Sequence, residues 1–182
     1  MMSSTTNVGE ITFRRARWKD AAFLYRLASD PEVRKHSLDQ RMPTVRGHVR
    51  WMRRMMDPDH RMLIVSIRGE RAGVITGTLH RELLEGGREL QWATVGVSLR
   101  RFFRGRGHGV RVIAEGSDEL ALDMGIPRLV AVISVDNEPS TRAFSRAGYR
   151  AVAMRKEPIR TGDGALLHIP VIIMEALYRW RS

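Results

Sequence analysis

The sequence predicts a mixed α/β domain, in which helices pack on a central sheet. Short runs that alternate in polarity or are rich in β-branched residues, as strands are, begin at residues 10–15 and recur along the chain. Segments with apolar residues at helical spacing lie between several of these runs. In the stretch 95–124, a β-branched run ends in a glycine-rich loop that leads into such a periodic segment. Strand, loop and helix in this order are typical of domains in which helices cover a sheet.

The other elements are assigned in chain order. The N-terminal part contains a strand over residues 10–15, a helix from Asp20, a cap and turn over residues 30–37, and a second helix from residues 43–44 to Met56. A hairpin follows, with strands 63–67 and 73–79 joined by the turn 68–71, and then a strand over residues 90–99. The C-terminal part contains strands 128–135, 149–155 and 166–174, and Pro170 favours a sheet edge or a bulge in the last of them.

Length and composition predict one domain over residues 1–182. A chain of 182 residues with 43% hydrophobic content can bury one sizeable core, and no Pro/Gly/Ser-rich linker divides it. Residues 1–8 are polar, and we expect them to be flexible. The chain has no signal-peptide pattern and no apolar run long enough to span a membrane, so we expect a cytoplasmic protein that does not bind membranes.

Metal and disulfide chemistry is not indicated by the residues present. The absence of cysteine excludes disulfides, a thiolate nucleophile and a cysteine-based zinc site. None of the six histidines forms an HExxH pair, and the run from Asp57 to His60 lacks the rest of a calcium loop. The sequence therefore predicts no metal site.

The formal net charge of +11 raises nucleic-acid binding as a rival function. Only three basic residues are lysines (Lys19, Lys35 and Lys156), and the arginines are spread from Arg14 to Arg181. An even spread is typical of a solvated surface rather than of a binding stripe, and no motif of an RNA-binding module is present. We therefore expect no nucleic-acid partner, and loss of any nucleic-acid binding at moderate salt would remove this rival.

The glycine-rich loop has the features of a phosphate-binding loop. Gly105, Gly107 and Gly109 let backbone N–H groups approach a ligand, and the helix that follows directs its partial positive charge at the same place. Arg104 and Arg106 add full positive charge, so a pyrophosphate is the expected ligand. Two nucleotide fingerprints fail here, because the Walker loop needs Lys-Ser or Lys-Thr after its last glycine and the dinucleotide loop needs G-x-G-x-x-G spacing.

The spacing Arg104-x-x-Gly107-x-Gly109 resembles the coenzyme A pyrophosphate loop of the GNAT superfamily of N-acetyltransferases. A second segment downstream, Asn137-Glu-Pro-Ser140 leading to Gly148-Tyr149, looks like the Asn-x-x-Ser/Ala motif of the same superfamily. The resemblance covers nearly the whole chain. It implies a central mixed, mostly antiparallel sheet that is splayed between its fourth and fifth strands, with helices on both faces, and it implies acetyl-CoA as co-substrate.

The resemblance also implies a set of coenzyme-binding residues. The strand before the loop would offer backbone groups to the pantetheine arm, and the loop would hold the pyrophosphate. The residues implied are Val97, Ser98, Leu99, Arg104, Gly105, Arg106, Gly107, His108, Gly109, Asn137 and Phe144.

The chemistry implied is direct attack of an amine on the thioester of acetyl-CoA. The Val97 N–H would then stabilise the oxyanion, and Ser140 is the candidate acid for the departing thiolate, with a helix cap as its alternative role. Thr94 stands where relatives often have glutamate, and Phe144 stands where they often have a tyrosine acid, so neither can do that work. Glu82, Glu89 and His80 are possible bases, among which the sequence does not choose.

A narrower resemblance concerns the acceptor. The run from Asp30 to Arg34 followed by His48-x-x-Trp51 looks like the amino-sugar N-acetyltransferases of the pseudaminic-acid pathway and, more loosely, like the ribosomal-protein N-terminal acetyltransferases. Arg34, His48 and Trp51 are therefore candidate substrate-binding residues, although His48 and Trp51 are equally compatible with packing. The expected partner is a small-molecule amine, an amino sugar or nucleotide-linked amino sugar first, bound by a monomer or homodimer. A protein N-terminus is the alternative acceptor, and a non-enzymatic acyl-CoA-binding module is the alternative outside catalysis.

Overall fold

The computed structural model describes residues 11–178, and within them strands and helices follow the predicted order. The strands are β1 (Ile11–Arg15), β2 (His60–Ile67), β3 (Glu70–Leu83), β4 (Glu89–Leu99), β5 (Arg128–Ser134), β6 (Arg150–Arg160) and β7 (Leu166–Leu177). The helices are α1 (Ala21–Ala28), α2 (Pro31–Lys35), α3 (Val45–Met55), α4 (His108–Met124) and α5 (Glu138–Arg146). The predicted flexibility of residues 1–8 lies outside the described residues.

Several assignments made from the sequence need correction, among them β3, which runs Glu70–Leu83 rather than over residues 73–79. The stretch predicted as a cap and turn contains the short helix α2, because Asp30 accepts a hydrogen bond from the Glu32 backbone N–H and Pro31 occupies the first helical position. Strand β6 continues to Arg160, five residues beyond its predicted end, because it stays paired with β7 down to the connecting turn. Pairing with a neighbour, which sets strand length, is not visible in a local pattern.

The strands form one sheet in the order β1-β2-β3-β4-β5-β7-β6. All neighbours are antiparallel except β4 and β5, which run parallel. This confirms the predicted mixed, mostly antiparallel sheet. Pro170 lies in the inner strand β7 rather than at an edge. The pairing of β5 with β7 ends at Ser134 and Val171, and just beyond it the Pro170 carbonyl accepts the Val135 N–H at 3.2 Å, so the missing N–H of Pro170 falls at the end of that ladder.

Helices cover both faces of the sheet, as predicted. The larger core packs α4 and α5 against one face through residues such as Val112, Leu120 and Phe144. A second core packs α1 and α3 against the other face through Leu24 and Met52. Strand β2 serves both cores because its side chains alternate between the faces: Leu63, Val65 and Ile67 belong to the first, and Met62 and Ile64 to the second.

Glycine permits close approach of the elements at the centre of the sheet. A Cβ added at Gly73 on β3 would lie 2.1 Å from the backbone oxygen of Ser98 on β4. A Cβ at Gly116 on α4 would lie 2.8 Å from Ile75 and 2.9 Å from Phe13, so the helix rests directly on the sheet at that point. The pairing of β3 with the end of β4 therefore depends on Gly73.

We predict that Gly73→Ala lowers the free energy of unfolding by about 1–3 kcal/mol, because the new methyl group meets backbone that cannot move without breaking the β3–β4 pairing. Denaturant titration followed by circular dichroism measures the change. The matched control is Gly162→Ala, where an added Cβ meets nothing within 4 Å. A Gly73→Ala protein as stable as the control would show that the strands are not held this closely.

Candidate active site

A wedge opens in the sheet between β4 and β5. The two strands pair only at Ala93 with Leu129 and at Thr94 with Val130. Strand β4 nevertheless stays paired with β3 up to Leu99, with no shift in register. Residues 97–99 therefore have a strand neighbour in β3 and, towards β5, only the open wedge, which is the splay that the resemblance implies.

The glycine-rich loop joins the end of β4 to the start of α4. Gly105 and Gly107 have φ of 69° and 79°, a left-handed conformation that strongly favours glycine. Gly107 is the residue before α4, whose N-terminus has no side-chain cap and no acidic residue in its first turn. A Cβ added at Gly105, Gly107 or Gly109 would meet nothing within 4 Å, so the loop backbone faces open space. Uncapped N–H groups beside free space fit the pyrophosphate of coenzyme A.

The two loop arginines have partners within the protein. Arg104 donates from Nε to the Leu99 carbonyl at 2.7 Å and from Nη2 to Asp30 at 2.5 Å. Although burial opposes ionisation of Asp30, its hydrogen bonds with Arg104 and the start of α2 lower its pKa. The Arg106 guanidinium lies over the Phe102 ring, 4.3 Å from its centroid. Direct contact of either side chain with phosphate stays a prediction, and for Arg104 it requires sharing or leaving Asp30.

The second motif builds the start of α5. Asn137 is the residue before this helix, and its side-chain oxygen accepts the Ser140 backbone N–H at 3.3 Å. The alternative role of Ser140 as helix cap is therefore wrong, because Asn137 is the cap and Ser140 lies inside the first turn. Phe144 is buried in the larger core, edge-on to Tyr149 at 4.9 Å, so its predicted contact with coenzyme stays a prediction. Burial raises the pKa of Tyr149 to about 12, and its hydroxyl pairs with Ser117.

The three candidate substrate-binding residues lie in the N-terminal third. His48 is buried between α1 and α3, where a ring nitrogen lies 3.0 Å from the Ala21 carbonyl oxygen and burial lowers its pKa. Its ring stacks on Trp51, which packs against the second core. This geometry favours packing for both rings. Arg34 donates to the Asp39 carbonyl at 2.8 Å, in the connection between α2 and α3.

That connection crosses to the far edge of the sheet. The Gln40 N–H donates to the Arg160 carbonyl at 2.7 Å, and the Arg160 N–H donates to the Leu38 carbonyl at 2.9 Å. Residues 38–40 thus pair with the end of β6, although α2 and α3 belong to the opposite half of the fold. Sequence analysis missed this contact, because nothing in residues 37–42 marks a strand.

A cluster of polar side chains lies at the closed end of the wedge, and the sequence did not predict that these side chains come together. Thr94, the last β4 residue paired with β5, has its hydroxyl 3.0 Å from Nε2 of His80 on β3. The His80 ring stacks on Trp92 at 5.3 Å with an interplanar angle of 12°. Nearby, Nδ1 of His60 on β2 lies 3.2 Å from the Thr78 hydroxyl. Burial and the charge of His60 lower the pKa of His80. The sequence offered His80 as one of three bases, but only strand register brings it to Thr94.

An arginine-lined cavity of about 460 Å³ lies where α1, the β2–β3 turn and the end of β4 meet. Its walls carry Arg26, Arg71, Arg100 and Arg101, with Phe23, Leu27, Asp30 and Glu70. Arg71 is held over the Phe23 ring, and Arg100 donates to the Arg71 carbonyl at 3.1 Å. Asp30 belongs both to this cavity and, through Arg104, to the glycine-rich loop.

Between residues 11 and 178, no three His, Asp or Glu side chains come together as metal ligands would. Over that part of the chain, no helix is both long enough and apolar enough to cross a bilayer.

Residues 10–150 match the sequence profile of the acetyltransferase (GNAT) domain family. No curated protein sequence matches the chain. The comparison with known families therefore rests on this domain match, which includes both the wedge and the glycine-rich loop.

Solved structures agree in fold at low sequence identity. The spermidine N-acetyltransferase from Vibrio cholerae, in complex with coenzyme A and spermine, has a TM-score of 0.73 and 14% identity, over 92% of this chain and 95% of that one. The aminoglycoside acetyltransferase AAC(6′)-Ib, in complex with ribostamycin and coenzyme A, gives 0.71 and 17%, over 95% and 98%. A ribosomal-protein-alanine N-acetyltransferase from Brucella melitensis gives 0.70 and 17%, over 91% and 99%.

We predict that Gly107→Val weakens acetyl-CoA binding at least tenfold, about 1.4 kcal/mol, because a branched side chain would occupy the space before the uncapped helix. Calorimetric titration measures the affinity. Gly87→Val is the matched control, since Gly87 has a φ of 77° and an equally open Cβ direction but lies in the β3–β4 turn. If both variants bind acetyl-CoA like the unmodified protein, the loop assignment is wrong.

Proposed function

Because the chain belongs to the GNAT acetyltransferase family, we propose that it transfers acetyl from acetyl-CoA to the primary amine of a phosphate-bearing small molecule, a nucleotide-linked amino sugar first. Family membership makes the protein an acetyl-CoA-dependent N-acetyltransferase, which removes the alternative of a non-enzymatic module.

The arginine-lined cavity carries the acceptor proposal. Arg26, Arg71, Arg100 and Arg101 outnumber Asp30 and Glu70 in its walls. Asp30 pairs with Arg104 and Arg71 lies 3.7 Å from Asp20, so the positive charge of the cavity comes mainly from Arg26, Arg100 and Arg101. Guanidinium groups bind phosphate oxygens through planar, charge-assisted hydrogen bonds. A cavity of about 460 Å³ with this lining favours a phosphate-bearing part of a substrate.

The distance along β4 supports a long acceptor. From Thr94 at the closed end of the wedge to Arg100 is six residues, or about 20 Å at roughly 3.4 Å per residue of strand. An extended nucleotide-linked sugar is of comparable length, so its amine can lie near Thr94 while its phosphates lie near Arg100. The resemblance of residues 30–34 and 48–51 to amino-sugar acetyltransferases agrees with this class, although Arg34, His48 and Trp51 do not line the cavity.

The ligands named with two of the structural neighbours carry positive charge, unlike the phosphate-bearing acceptor proposed here. Spermine and ribostamycin, named with two of those structures, are polycations. A protein with a formal net charge of +11 and arginines at this cavity repels such molecules. The same positive field would attract an acidic peptide, which keeps a protein N-terminus as the second candidate acceptor.

The coenzyme would lie in the wedge. The backbone of residues 97–99 is positioned to pair with the amides of pantetheine, and residues 104–109 to hold the pyrophosphate. Bound there, acetyl-CoA supplies an activated thioester. We assign the Val97 N–H to the developing oxyanion and the Ser140 hydroxyl to the departing sulfur, with Asn137 holding the first turn of α5.

Because Ser140 is not a cap, Ser140→Ala should change the free energy of unfolding by less than about 0.5 kcal/mol. If its hydroxyl protonates the sulfur, turnover should fall roughly a hundredfold at unchanged acetyl-CoA affinity. Asn137→Ala is the contrasting variant, with an expected loss of about 1 kcal/mol of stability from the missing cap. Normal turnover in the Ser140 variant would end its role as acid.

An acceptor screen tests the proposed function. Thiol release from acetyl-CoA is followed with nucleotide-linked amino sugars, the same sugars without the nucleotide, acidic peptides and polyamines. We expect the nucleotide-linked sugars to react at the lowest concentrations, and Arg26→Gln to raise their KM at least tenfold without changing acetyl-CoA affinity. Arg50→Gln on the exposed face of α3 removes the same charge outside the cavity and serves as the control. Preference for polyamines, or equal effects of both variants, would contradict the proposal.

A further inference from the structure

We propose that His80 is the base that takes the proton of the acceptor's ammonium group, acting through the hydroxyl of Thr94. The inference rests on the proposed function, since it requires an amine acceptor. The sequence has no strong base at position 94: Thr94 stands where relatives often carry a glutamate, and a threonine hydroxyl is too weak a base to replace it.

Strand register places the two residues on the face of the sheet that the coenzyme-loop helix does not cover. His80 pairs with Trp92 and Thr78 with Thr94 across β3 and β4. Their neighbours Leu79, Ala93 and Val95 point into the larger core under α4, so the side chains of His80, Trp92 and Thr94 point to the opposite face. Thr94 is also the point at which β4 and β5 separate. An acceptor that reaches the closed end of the wedge from this face meets Thr94 first.

The His80 ring is held in the orientation that the relay needs. Stacking on Trp92 fixes the plane of the imidazole, and Nε2 lies 3.0 Å from Thr94 Oγ1. In the neutral ring that carries its proton on Nδ1, Nε2 accepts the Thr94 hydroxyl hydrogen. The hydroxyl oxygen then keeps a lone pair for a proton from the acceptor. Both residues are half-buried, so the hydroxyl remains within reach of a ligand.

The surrounding charges favour the neutral, proton-accepting ring. Burial, together with His60 on β2, lowers the pKa of His80. Other ionisable groups on this face are Glu82 on β3, and Arg128 on β5 with Glu175 on β7, which pair with each other at 2.6 Å. A base with a lowered pKa is available at neutral pH.

The proton and electron balance is complete without a further reactant. An acceptor amine is largely an ammonium ion at neutral pH. Its N–H bond breaks as one proton passes to Thr94 Oγ1, while the Thr94 hydroxyl proton passes to Nε2 of His80. The nitrogen lone pair then forms the bond to the acetyl carbon, the carbon–sulfur bond breaks, and the second amine proton ends on the sulfur. His80 returns its proton to solvent, so one proton is released for each acetyl group transferred.

The tautomer of His80 tests the proposal without an acceptor. Side-chain ¹⁵N NMR of the full chain at pH 7 should show His80 neutral, with its proton on Nδ1 and Nε2 unprotonated. Thr94→Val should shift the Nε2 resonance, because the only change is loss of the hydroxyl. A ring protonated on Nε2, or an imidazolium at pH 7, could not accept a proton from Thr94 and would overturn the proposal.

The pH dependence of turnover tests it with the best amine from the acceptor screen. His80→Gln should lower kcat at pH 7 at least a hundredfold with unchanged acetyl-CoA affinity. The deficit should shrink as pH rises, because the amine then loses its proton to solvent. Thr94→Val should behave alike, whereas Thr94→Ser, which keeps the hydroxyl, should stay within a few-fold of the unmodified enzyme. A loss that is the same at every pH would indicate a structural role and contradict the proposal.

A variant of the neighbouring His60 tests whether His80 is the group that titrates. His60→Gln removes the positive charge that lowers the pKa of His80, so that pKa should rise and the fall of kcat/KM on acidification should begin at higher pH. Its kcat at pH 8 should be close to that of the unmodified enzyme. If kcat/KM instead falls at the same pH in both proteins, His80 is not the titrating group. If the unmodified enzyme acetylates no amine in the screen, the proposed function fails, and the tautomer still decides on the His80–Thr94 relay.

Discussion

The end of hydrogen bonding between β4 and β5 is the constraint on which the site depends. Their pairing stops after Thr94 and Val130, while β4 remains in register with β3 to Leu99. Backbone groups at an unpaired strand edge need partners, and a ligand that carries amide groups can take the place of the missing strand. Helices pack on both faces of the sheet that contains the wedge, with α4 and α5 on one face and α1 and α3 on the other. The opening is thus a stable feature of the fold rather than a defect in it.

Contacts between distant parts of the chain tie the acceptor side to the coenzyme side. Asp30 caps α2 and also pairs with Arg104, the residue that precedes the glycine-rich loop. The α2–α3 connection pairs in turn with Arg160 at the end of β6. The ion pair is partly buried, so it is worth more than a fully exposed one, and its main effect is to fix where the loop begins. A displacement of α2 would therefore be transmitted to the start of the phosphate-binding loop.

The sequence predicted those features that rest on local patterns. Glycine spacing indicated the loop at residues 105–109, and alternation indicated each strand to within a few residues at most ends. It did not predict features that depend on which strands become neighbours. Asn137 rather than Ser140 caps α5, because capping depends on the backbone conformation before the helix and both residue types are suitable. His80 reaches Thr94 only because β3 and β4 pair in one register, and a shift by one residue would turn His80 to the opposite face.

Agreement in fold with acetyltransferases of several acceptors limits what the fold alone says about substrate. At 14–17% identity, proteins named with spermine, with ribostamycin and as a ribosomal-protein-alanine acetyltransferase share this architecture. What the chain adds is charge and its position. Polycationic acceptors are favoured by acidic surroundings, whereas here the cavity beside the end of β4 carries four arginines, and its carboxylate Asp30 is bound to a fifth. At close range these arginines lower the affinity for a cation by repulsion and raise the affinity for a phosphate by attraction. Arg26 and Arg101, rather than the fold, therefore favour a phosphate-bearing acceptor.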